Sequence, residues 1–326
     1  MSKVKYNWAT LGVGVIGHQL AEAIQKLGGN LYSVGNRTKS KAEEFAAKYR
    51  IGKVYDDPED IFSDPNVDIV YISTPHNTHI NYLRKALQAN KHVLCEKSIT
   101  LNSTELAEAV NLAKSRNLVL AEAMTIYHMP IYKKLNEIIK AGALGPLRLI
   151  QMNFGSYKEY NMKNRFFNRS LAGGAMLDIG VYALSFVRWF MSSTPTEILS
   201  QVKLAPTGVD EQATMLLKNA QEEMATVTLS LHAKQPKRGT IAFDKGYVEI
   251  FEYPRSSKAE ITWTEGGRRE VIEAGDTAEA LCYEALDMEA AVSGERDDMH
   301  LDYTVDVMEM MTKARNDWGL KYPEEE

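Results

Sequence analysis

The sequence predicts an α/β domain built on a doubly wound parallel sheet, followed by an α+β domain with a largely antiparallel open sheet. The chain has 326 residues, more than one hydrophobic core usually serves. As far as Ala123, short apolar runs alternate with amphipathic stretches, which is typical of β-α repeats around a parallel sheet. Beyond that residue, strand-like runs largely follow one another, as in a meander. We therefore expect domains at residues 1–123 and 124–326.

The first domain is predicted to have strands near residues 7–11, 30–34, 68–73, 92–95 and 118–122. The helix after the first strand carries Leu20, Ala23 and Leu27 on one apolar face with a 3.6-residue period. Asp57-Pro58 predicts the start of a short helix, and the segment 102–105 has the form of a capping box. These helices would lie between the strands.

The second domain is predicted to start with a helix over 129–141, which a Gly-x-x-Gly-Pro break ends. Further helices are expected over 174–191, 277–293 and 301–317. Strands are expected near 147–154, 197–204, 212–217, 224–231, 240–243, 247–252, 259–263 and 269–273.

Composition excludes several classes of protein. Apolar residues make up 44% and charged residues 25% of the chain, as in ordinary globular proteins. The net charge of -5, without long single-sign runs, argues against nucleic acid as a partner. The amino terminus does not resemble a signal peptide, and no 18-residue apolar run predicts a membrane span. With only two cysteines, a disulfide framework is not expected, and we predict a soluble cytoplasmic protein that does not bind membranes.

A glycine-rich loop joins the first strand to the first helix. It reads Gly12-Val13-Gly14-Val15-Ile16-Gly17, and its three glycines suit a tight turn, a close approach of the backbone to a pyrophosphate and close helix–strand packing. The helix that begins there would direct its free N–H groups at the phosphates. Because the motif lies within a β-α-β unit, we interpret it as the dinucleotide-binding loop of a Rossmann domain.

The segment after the second strand favours NADP(H) over NAD(H). An acidic residue that binds the ribose hydroxyls usually stands about 20 residues after the glycines, but here the chain reads Gly35-Asn36-Arg37-Thr38-Lys39. Arg37 can hold a 2'-phosphate through two hydrogen bonds, and Asn36 lies beside it. The alternative is that Arg37 and Lys39 are solvated charges at a helix start.

Polar loops follow two further strands at the carboxyl edge of the sheet, where ligands bind in open α/β folds. The first loop offers Ser73, Thr74, Pro75, Asn77 and His79 as candidate cofactor-binding residues. Its alternative role is that of a helix cap without a ligand.

The second of these loops contains Glu96 and Lys97. The Lys97 ammonium could polarise a carbonyl or hydroxyl near a nicotinamide, or it could simply be solvated. The nearby His92-x-x-Cys95 spacing does not favour a metal site, because on a strand these side chains point to opposite faces. We expect Cys95 to be a buried apolar residue.

A third group of candidates lies in the second domain. Asp178 and Tyr182 are four residues apart on one face of a predicted helix that follows Gly173-Gly174. The basic and aromatic run that begins at Arg165 precedes them. The pair could serve a functional site or only form a local hydrogen bond.

Taken together, these motifs resemble the glucose-fructose oxidoreductase, inositol dehydrogenase and MocA (Gfo/Idh/MocA) family over both domains. The resemblance is carried by the glycine loop, by Ser73-Thr74-Pro75 with His79, by the run 92–97 that ends in Glu96-Lys97, and by the run 173–182. Glu122-Ala123-Met124 and the Asp-x-Gly-x-Tyr ending most resemble the trans-dihydrodiol and xylose dehydrogenase branch.

The resemblance implies hydride transfer between a nicotinamide cofactor and a sugar-like or cyclic polyol or keto substrate. Lys97, Asp178 and Tyr182 would be the catalytic residues, with Lys97 and Tyr182 as acid/base groups and Asp178 orienting them. It further implies a homodimer or homotetramer formed through the second-domain sheet. The cofactor-binding residues would be Gly12, Gly14, Val15, Ile16, Gly17, Asn36, Arg37, Ser73, Thr74, Pro75, Asn77, His79, Glu96, Lys97 and Arg165, with no metal.

Two departures from the family pattern concern the substrate and the lysine. Ser98 stands where family members usually have proline after the lysine, and Thr125-Ile126-Tyr127 replaces the Trp-Thr-Arg of the related branch. The alternative to an enzyme is a sensor or regulatory subunit that binds NADP(H) without turnover. The joint presence of Lys97, Asp178 and Tyr182 favours the enzyme.

Overall fold

The computed structural model describes residues 4–326, which divide into two compact units. The first unit comprises the chain up to Thr100 together with Thr104–Met124 and Ala278–Leu301. The second comprises Leu101–Ser103, Thr125–Thr277 and Asp302–Glu326. The main division therefore falls within a residue or two of the predicted one, but residues 278–301 lie in the first unit, where we had not expected them.

The first unit contains a six-stranded sheet in the order β3-β2-β1-β4-β5-β6, and all of its neighbouring strands are parallel. The strands are β1 Trp8–Leu11, β2 Ser33–Gly35, β3 Lys53–Val54, β4 Ile69–Ile72, β5 His92–Glu96 and β6 Leu120–Ala123. The helices that follow these strands are α1 Val15–Lys26, α2 Lys39–Tyr49, α3 Asp60–Ser63, α4 His79–Gln88 and α5 Ser103–Ser115. The predicted doubly wound sheet is confirmed, and only the two-residue strand β3 was not foreseen.

The second unit contains an eight-stranded sheet in the order β14-β13-β12-β11-β7-β10-β9-β8. Its strands are β7 Leu147–Gly155, β8 Glu197–Leu204, β9 Asp210–Lys218, β10 Met224–Ser230, β11 Gln235–Phe243, β12 Gly246–Phe251, β13 Lys258–Trp263 and β14 Arg269–Glu273. The sheet is largely antiparallel, as predicted, but it is not a simple meander. Strand β7 lies between β11 and β10 and runs parallel to β10. The long segment between β7 and β10 provides the crossover that a parallel pair requires.

The remaining helices are α6 Thr125–His128, α7 Pro130–Lys140, α8 Val181–Phe190, α9 Ala280–Val292 and α10 Leu301–Asp317. The stretch Arg169–Phe190 is long and apolar enough to cross a membrane by length and composition, but 78% of its apolar window is buried within the structure. Helix α8 packs against β7 and serves as the core helix of the second unit.

Helix α9 belongs to the first unit because it packs on α1 and binds the first strand. The Glu289 carboxylate accepts hydrogen bonds from the backbone N–H of Lys5 at 2.7 Å and from Trp8 Nε1 at 2.8 Å. Trp8 is fully buried, so its indole N–H needs this acceptor. The hydrogen bond between Trp8 and Glu289 could not be predicted from local sequence patterns, because the two residues are more than 280 positions apart.

Candidate cofactor and catalytic site

The glycine loop after β1 has the geometry that its sequence predicts. Gly12 adopts φ = +106°, and a Cβ there would lie 2.8 Å from the Ser73 carbonyl oxygen. Its N–H donates to the Gly35 carbonyl at 2.9 Å, which ties the loop to the end of β2. A Cβ at Gly17 would approach the Gly12 carbonyl oxygen to 3.0 Å, so this glycine permits close packing of α1 on the loop.

Gly14 differs from its two neighbours, because internal packing does not require a glycine there. Apart from Gly14 itself and its chain neighbours, no heavy atom of the described residues lies within 4 Å of the position that its Cβ would take. Helix α1 then begins at Val15, which is 78% exposed, and within residues 4–326 no side chain caps its end and no acid lies in its first turn. Open space above uncapped N–H groups suits a dinucleotide pyrophosphate, which supplies both an acceptor and the negative charge that a helix amino terminus favours.

The end of β2 presents one cation without a partner. Arg37 is exposed and makes no ion pair within the described part of the chain. Lys39, by contrast, is paired with Asp56, and that hydrogen bond raises the pKa of Lys39. Asn36 donates from Nδ2 to the Thr38 carbonyl at 2.9 Å. Of the two cations Arg37 and Lys39, Arg37 is therefore the one whose charge is not already neutralised by a carboxylate.

His79 joins the two polar loops at the carboxyl edge of the sheet. Its ring is fully buried, with Nε2 2.8 Å from the Thr74 carbonyl oxygen and Nδ1 3.0 Å from that of Ser98. Burial lowers the pKa of His79. A neutral imidazole donates through one nitrogen only, so one of these two contacts is its hydrogen bond. The structure thus places His79 beneath the loops, and its assignment to cofactor binding stays a prediction.

The other predicted residues of the loop after β4 form its turn. The Thr78 hydroxyl lies 2.8 Å from the Thr74 hydroxyl and donates to the Pro75 carbonyl at 2.7 Å. The Ser73 hydroxyl lies 3.2 Å from the Gly12 carbonyl oxygen, which joins this loop to the glycine loop. Asn77 is half-buried within the short turn His76–Thr78.

The strand β5 ends at Glu96, and Lys97 follows it; both residues are half-buried. The Glu96 carboxylate accepts a hydrogen bond from the hydroxyl of the fully buried Tyr71. The next peptide bond, between Lys97 and Ser98, is cis. This segment is held to β6 by Glu122, a buried acid that accepts from the Ile99 N–H at 3.0 Å. Lys97 thus leaves the sheet edge from a segment fixed on both sides.

Cys95 is completely buried one residue before this edge, as predicted. Burial raises the pKa of its thiol, so the thiolate needed for nucleophilic attack is disfavoured.

Arg165, Asp178 and Tyr182 all belong to the second unit, which brings Arg165 beside Asp178 near the start of α8. Arg165 Nη2 lies 3.7 Å from Asp178 Oδ1, and its guanidinium lies 4.4 Å from the Phe166 ring centroid. The Asp178 side chain is 14% exposed. The half-buried Tyr182 ring lies 6.2 Å from that of Phe154. The assignment of Arg165 to the cofactor stays a prediction, and the structure places it beside Asp178.

The helix that carries Asp178 is less regular than predicted. Residues Met176–Gly180 form a wide π-type turn, and the regular helix α8 begins at Val181. Such turns arise where an α-helix accommodates an extra residue, and they are frequent at functional sites. The double-glycine segment before this turn is held by the Phe166 carbonyl, which accepts a hydrogen bond from the Gly174 N–H at 2.9 Å. A Cβ at Gly173 would lie 2.7 Å from the Arg165 carbonyl oxygen.

The predicted residues thus gather in two places, each within one unit. The glycine loop, the end of β2, the loop after β4 and Lys97 belong to the first unit, and Arg165, Asp178 and Tyr182 belong to the second. Sequence reasoning named Glu122 only as part of a family motif and did not identify Glu122 or Asp210 as a buried support. The signal for Glu122 is a carboxylate within the otherwise apolar strand β6, whereas Asp210 begins a strand that continues with Glu211 and Gln212 and gives no such signal.

Comparison with known proteins identifies both parts of the chain. A family profile described as the Gfo/Idh/MocA oxidoreductase family, NAD-binding Rossmann fold, matches residues 6–124, and that of the Gfo/Idh/MocA C-terminal domain matches residues 132–249. The trans-1,2-dihydrobenzene-1,2-diol dehydrogenases of Homo sapiens and Macaca fascicularis are 34% and 33% identical over 247 residues, 74% of this chain and 73% of each relative.

Solved structures share the whole fold at low sequence identity. Levoglucosan dehydrogenase in complex with NADH and levoglucosan has a TM-score of 0.84 at 19% identity, over 95% of this chain and 97% of that one. A 3-ketoreductase from Actinomadura kijaniata in complex with NADP and TDP-benzene has a TM-score of 0.84 at 20% identity, with the same coverage. The chain belongs to the Gfo/Idh/MocA family of nicotinamide-dependent oxidoreductases, near its dihydrodiol dehydrogenase branch, as a dehydrogenase or reductase acting on CH–OH groups.

Proposed function

We propose that the protein transfers hydride between NADP(H) and a sugar-like or cyclic polyol or keto substrate, with Lys97 and Tyr182 as the acid/base groups. The observation that supports this most strongly is the uncapped amino terminus of α1 under the open position at Gly14, in the same unit as Lys97. The named activities of the relatives, on a dihydrodiol and on levoglucosan, agree with a cyclic substrate bearing hydroxyl groups.

The chain's own residues have separate tasks in this reaction. When bound, the nicotinamide supplies the hydride acceptor or donor. Tyr182 exchanges the proton of the substrate hydroxyl, and the Lys97 ammonium stabilises negative charge on that oxygen. Asp178 orients the pair, and its contact with Arg165 holds the carboxylate in place.

Turnover tests this assignment. We expect a panel of polyols, cyclic diols and keto sugars to contain at least one substrate whose turnover changes the near-ultraviolet absorbance of the reduced nicotinamide. With that substrate, Lys97→Met should lower kcat about 100-fold or more, because a preorganised charge is removed. Lys114→Met, an exposed lysine on α5, should leave the rate unchanged.

Two results would contradict the proposal. A panel without any absorbance change, combined with tight NADPH binding, would favour the sensor alternative. An unaltered rate in Lys97→Met would remove Lys97 from the catalytic residues.

The preference for NADP(H) rests on Arg37, since its charge is not already neutralised. We expect Arg37→Asp to weaken NADPH binding about 10- to 100-fold, the loss of one charge-assisted pair, and to leave NADH binding nearly unchanged. Fluorescence titration with both cofactors measures this. Lys114→Asp makes the same change in net charge on helix α5 and should affect neither titration. An unchanged NADPH/NADH ratio in Arg37→Asp would mean that Arg37 does not bind a 2'-phosphate.

We further propose that the protein is a cytoplasmic homo-oligomer formed through the outer face of the second-unit sheet. On that face Leu199 lies opposite Leu216, and Met224 lies opposite Leu149. The three side chains Leu199, Leu216 and Met224 are 69%, 45% and 45% exposed, which is unusual for adjacent apolar residues on a sheet that stays in water.

Light scattering after gel filtration tests the assembly. We expect the wild type to have the molar mass of a dimer or tetramer. Leu216→Lys should shift the mass toward that of a monomer, because association would bury the new lysine charges in the interface. An unchanged thermal transition in the variant shows that the fold is intact. A wild-type mass of one chain at micromolar concentration would contradict the proposal.

A further inference from the structure

Asp210, the first residue of β9, is a buried carboxylate directed at the double-glycine turn before Asp178. It is fully buried, and its Oδ2 accepts a hydrogen bond from the Met176 N–H at 2.5 Å. Its Oδ1 lies against Gly174, where the Cβ of any other residue would overlap it. Gly174 has φ = +126°, which L side chains rarely adopt. The carboxylate therefore fixes the end of a segment that glycine alone would leave flexible.

The other end of the same turn is held from the carboxyl terminus of the chain. The hydroxyl of the fully buried Tyr322 donates to the Gly173 carbonyl at 2.7 Å. Tyr322 is itself held by Arg315, whose guanidinium lies 4.9 Å from its ring centroid. Arg315 is paired with Glu325 at 2.8 Å, and Glu325 accepts from the Tyr322 N–H at 2.9 Å.

We propose that Asp210 and Tyr322 are positioning residues for the Asp178–Tyr182 pair, and that together they clamp the turn Gly173–Met176 from its two ends. The inference rests on the proposed function only for the catalytic role of that pair. Neither residue needs to touch substrate or cofactor in order to act in this way.

Geometry explains why such a clamp would matter for the reaction. Met176 is the first residue of the wide turn, and Asp178 follows two positions later. A wide turn has fewer favourable backbone contacts than a regular helix, so its start needs an external anchor. A displacement of about 1 Å at a catalytic group can lower a rate about 100-fold.

Groups from several elements face the Asp210 carboxyl. Burial raises its pKa, and the backbone N–H of Met176, the Arg315 charge from α10 and the backbone N–H of Ala175 oppose that shift. Burial, and after it the nearby Asp210 charge, raise the pKa of the Tyr322 hydroxyl, which keeps that hydroxyl protonated and able to donate to Gly173. The two anchors therefore support each other.

Amide hydrogen exchange tests the clamp independently of turnover. In Asp210→Ala we expect the Met176 amide and its neighbours in the turn to exchange at least about tenfold faster than in the wild type, since the amide loses its acceptor. Asp210→Asn should restore slow exchange, because the carboxamide oxygen can accept the same bond. Glu211→Gln is the matched control, a neighbouring buried carboxylate paired with Lys203 and not with the turn.

Activity provides the second measurement. With a substrate from the panel, we expect Asp210→Ala and Tyr322→Phe to lower kcat about 10- to 100-fold with KM changed less than about threefold, and Asp210→Asn to recover most of the rate. Tyr322→Phe retains the ring and removes only the hydroxyl, so it remains informative if Asp210→Ala fails to fold.

The outcomes separate the two proposals. Unchanged exchange of the turn amides in both Asp210→Ala and Tyr322→Phe would overturn the clamp, and so would a kcat of Asp210→Asn as low as that of Asp210→Ala. Absence of turnover in the wild type would overturn the proposed function, and the exchange rates would still decide whether the turn is anchored.

Discussion

At the scale of single residues, a buried carboxyl in the second unit makes the free energy of unfolding depend on pH, and the direction of that dependence can be derived. Asp210 is the main case: burial raises its pKa from 3.8 to about 7, although the Met176 N–H and the Arg315 charge oppose the shift. Because the folded chain holds this proton more tightly than the unfolded chain, the stabilising effect is fully present below about pH 4. It is lost as the pH rises toward 7.

The prediction at the residue scale follows from this shift. Relative to Asp210→Asn, the wild-type free energy of unfolding should fall by about 4 kcal/mol between pH 4 and pH 7 and then stay level. Urea unfolding at a series of pH values, followed by the fluorescence of Trp189 and the other tryptophans, measures the difference. A difference that stays level over this interval would show that Asp210 has an ordinary or lowered pKa.

At the scale of elements, the loop before α1 contains glycines that folding requires and one that we expect only cofactor binding to require. Gly12 cannot accept a Cβ, because its φ is +106° and the Ser73 carbonyl oxygen lies 2.8 Å away, whereas the position at Gly14 is open and has φ = -73°. Gly12→Ala should therefore lower stability by about 2 kcal/mol or more. Gly14→Ala should leave stability within about 0.5 kcal/mol of wild type and weaken cofactor binding at least about tenfold.

Thermal unfolding and NADPH titration of both variants check this pair. Each variant is the control for the other, since both add the same methyl group. If Gly14→Ala bound NADPH like the wild type, the pyrophosphate would not lie against this loop.

Most of the elements could be predicted from the sequence, because periodicity and turn residues are local signals. The bounds of β8, β14 and α10 agree with the prediction. The wide turn at Met176–Gly180 could not be predicted, since the backbone N–H at its start is bound by Asp210, 34 positions away along the chain. The candidate residues of the site come from contiguous motifs, and their roles stay predictions. The supporting roles of Glu122 and Tyr322 could not be predicted, because their partners are defined only by the fold.

At the scale of the whole molecule, the first unit is discontinuous in sequence. Helix α9 follows the entire second-unit sheet along the chain and yet supplies Glu289 to Trp8 and to the backbone of Lys5. A chain that ends at Met124 contains every strand of the first sheet and all of the glycine loop, but it leaves the buried indole N–H of Trp8 without this acceptor.

We therefore expect a chain of residues 1–124 to be unstable and to bind NADPH weakly or not at all. Joining residues 278–301 to it through a flexible linker should restore a cooperative thermal transition and NADPH binding. The same linked chain with Glu289→Ala should lose about 2 kcal/mol or more of that stability, because a buried donor is left unsatisfied. A stable, cofactor-binding 1–124 chain would show that α9 is dispensable.

The same discontinuity has a consequence for biosynthesis. A ribosome that has completed Met124 must add roughly 150 further residues before α9 emerges, which takes about 10 to 30 s at usual elongation rates. During that interval the nascent parallel sheet exposes the α1 surface that α9 will cover. Chaperone protection of the growing chain would therefore be most valuable in this period, because the second unit's sheet is synthesised before the first unit receives α9.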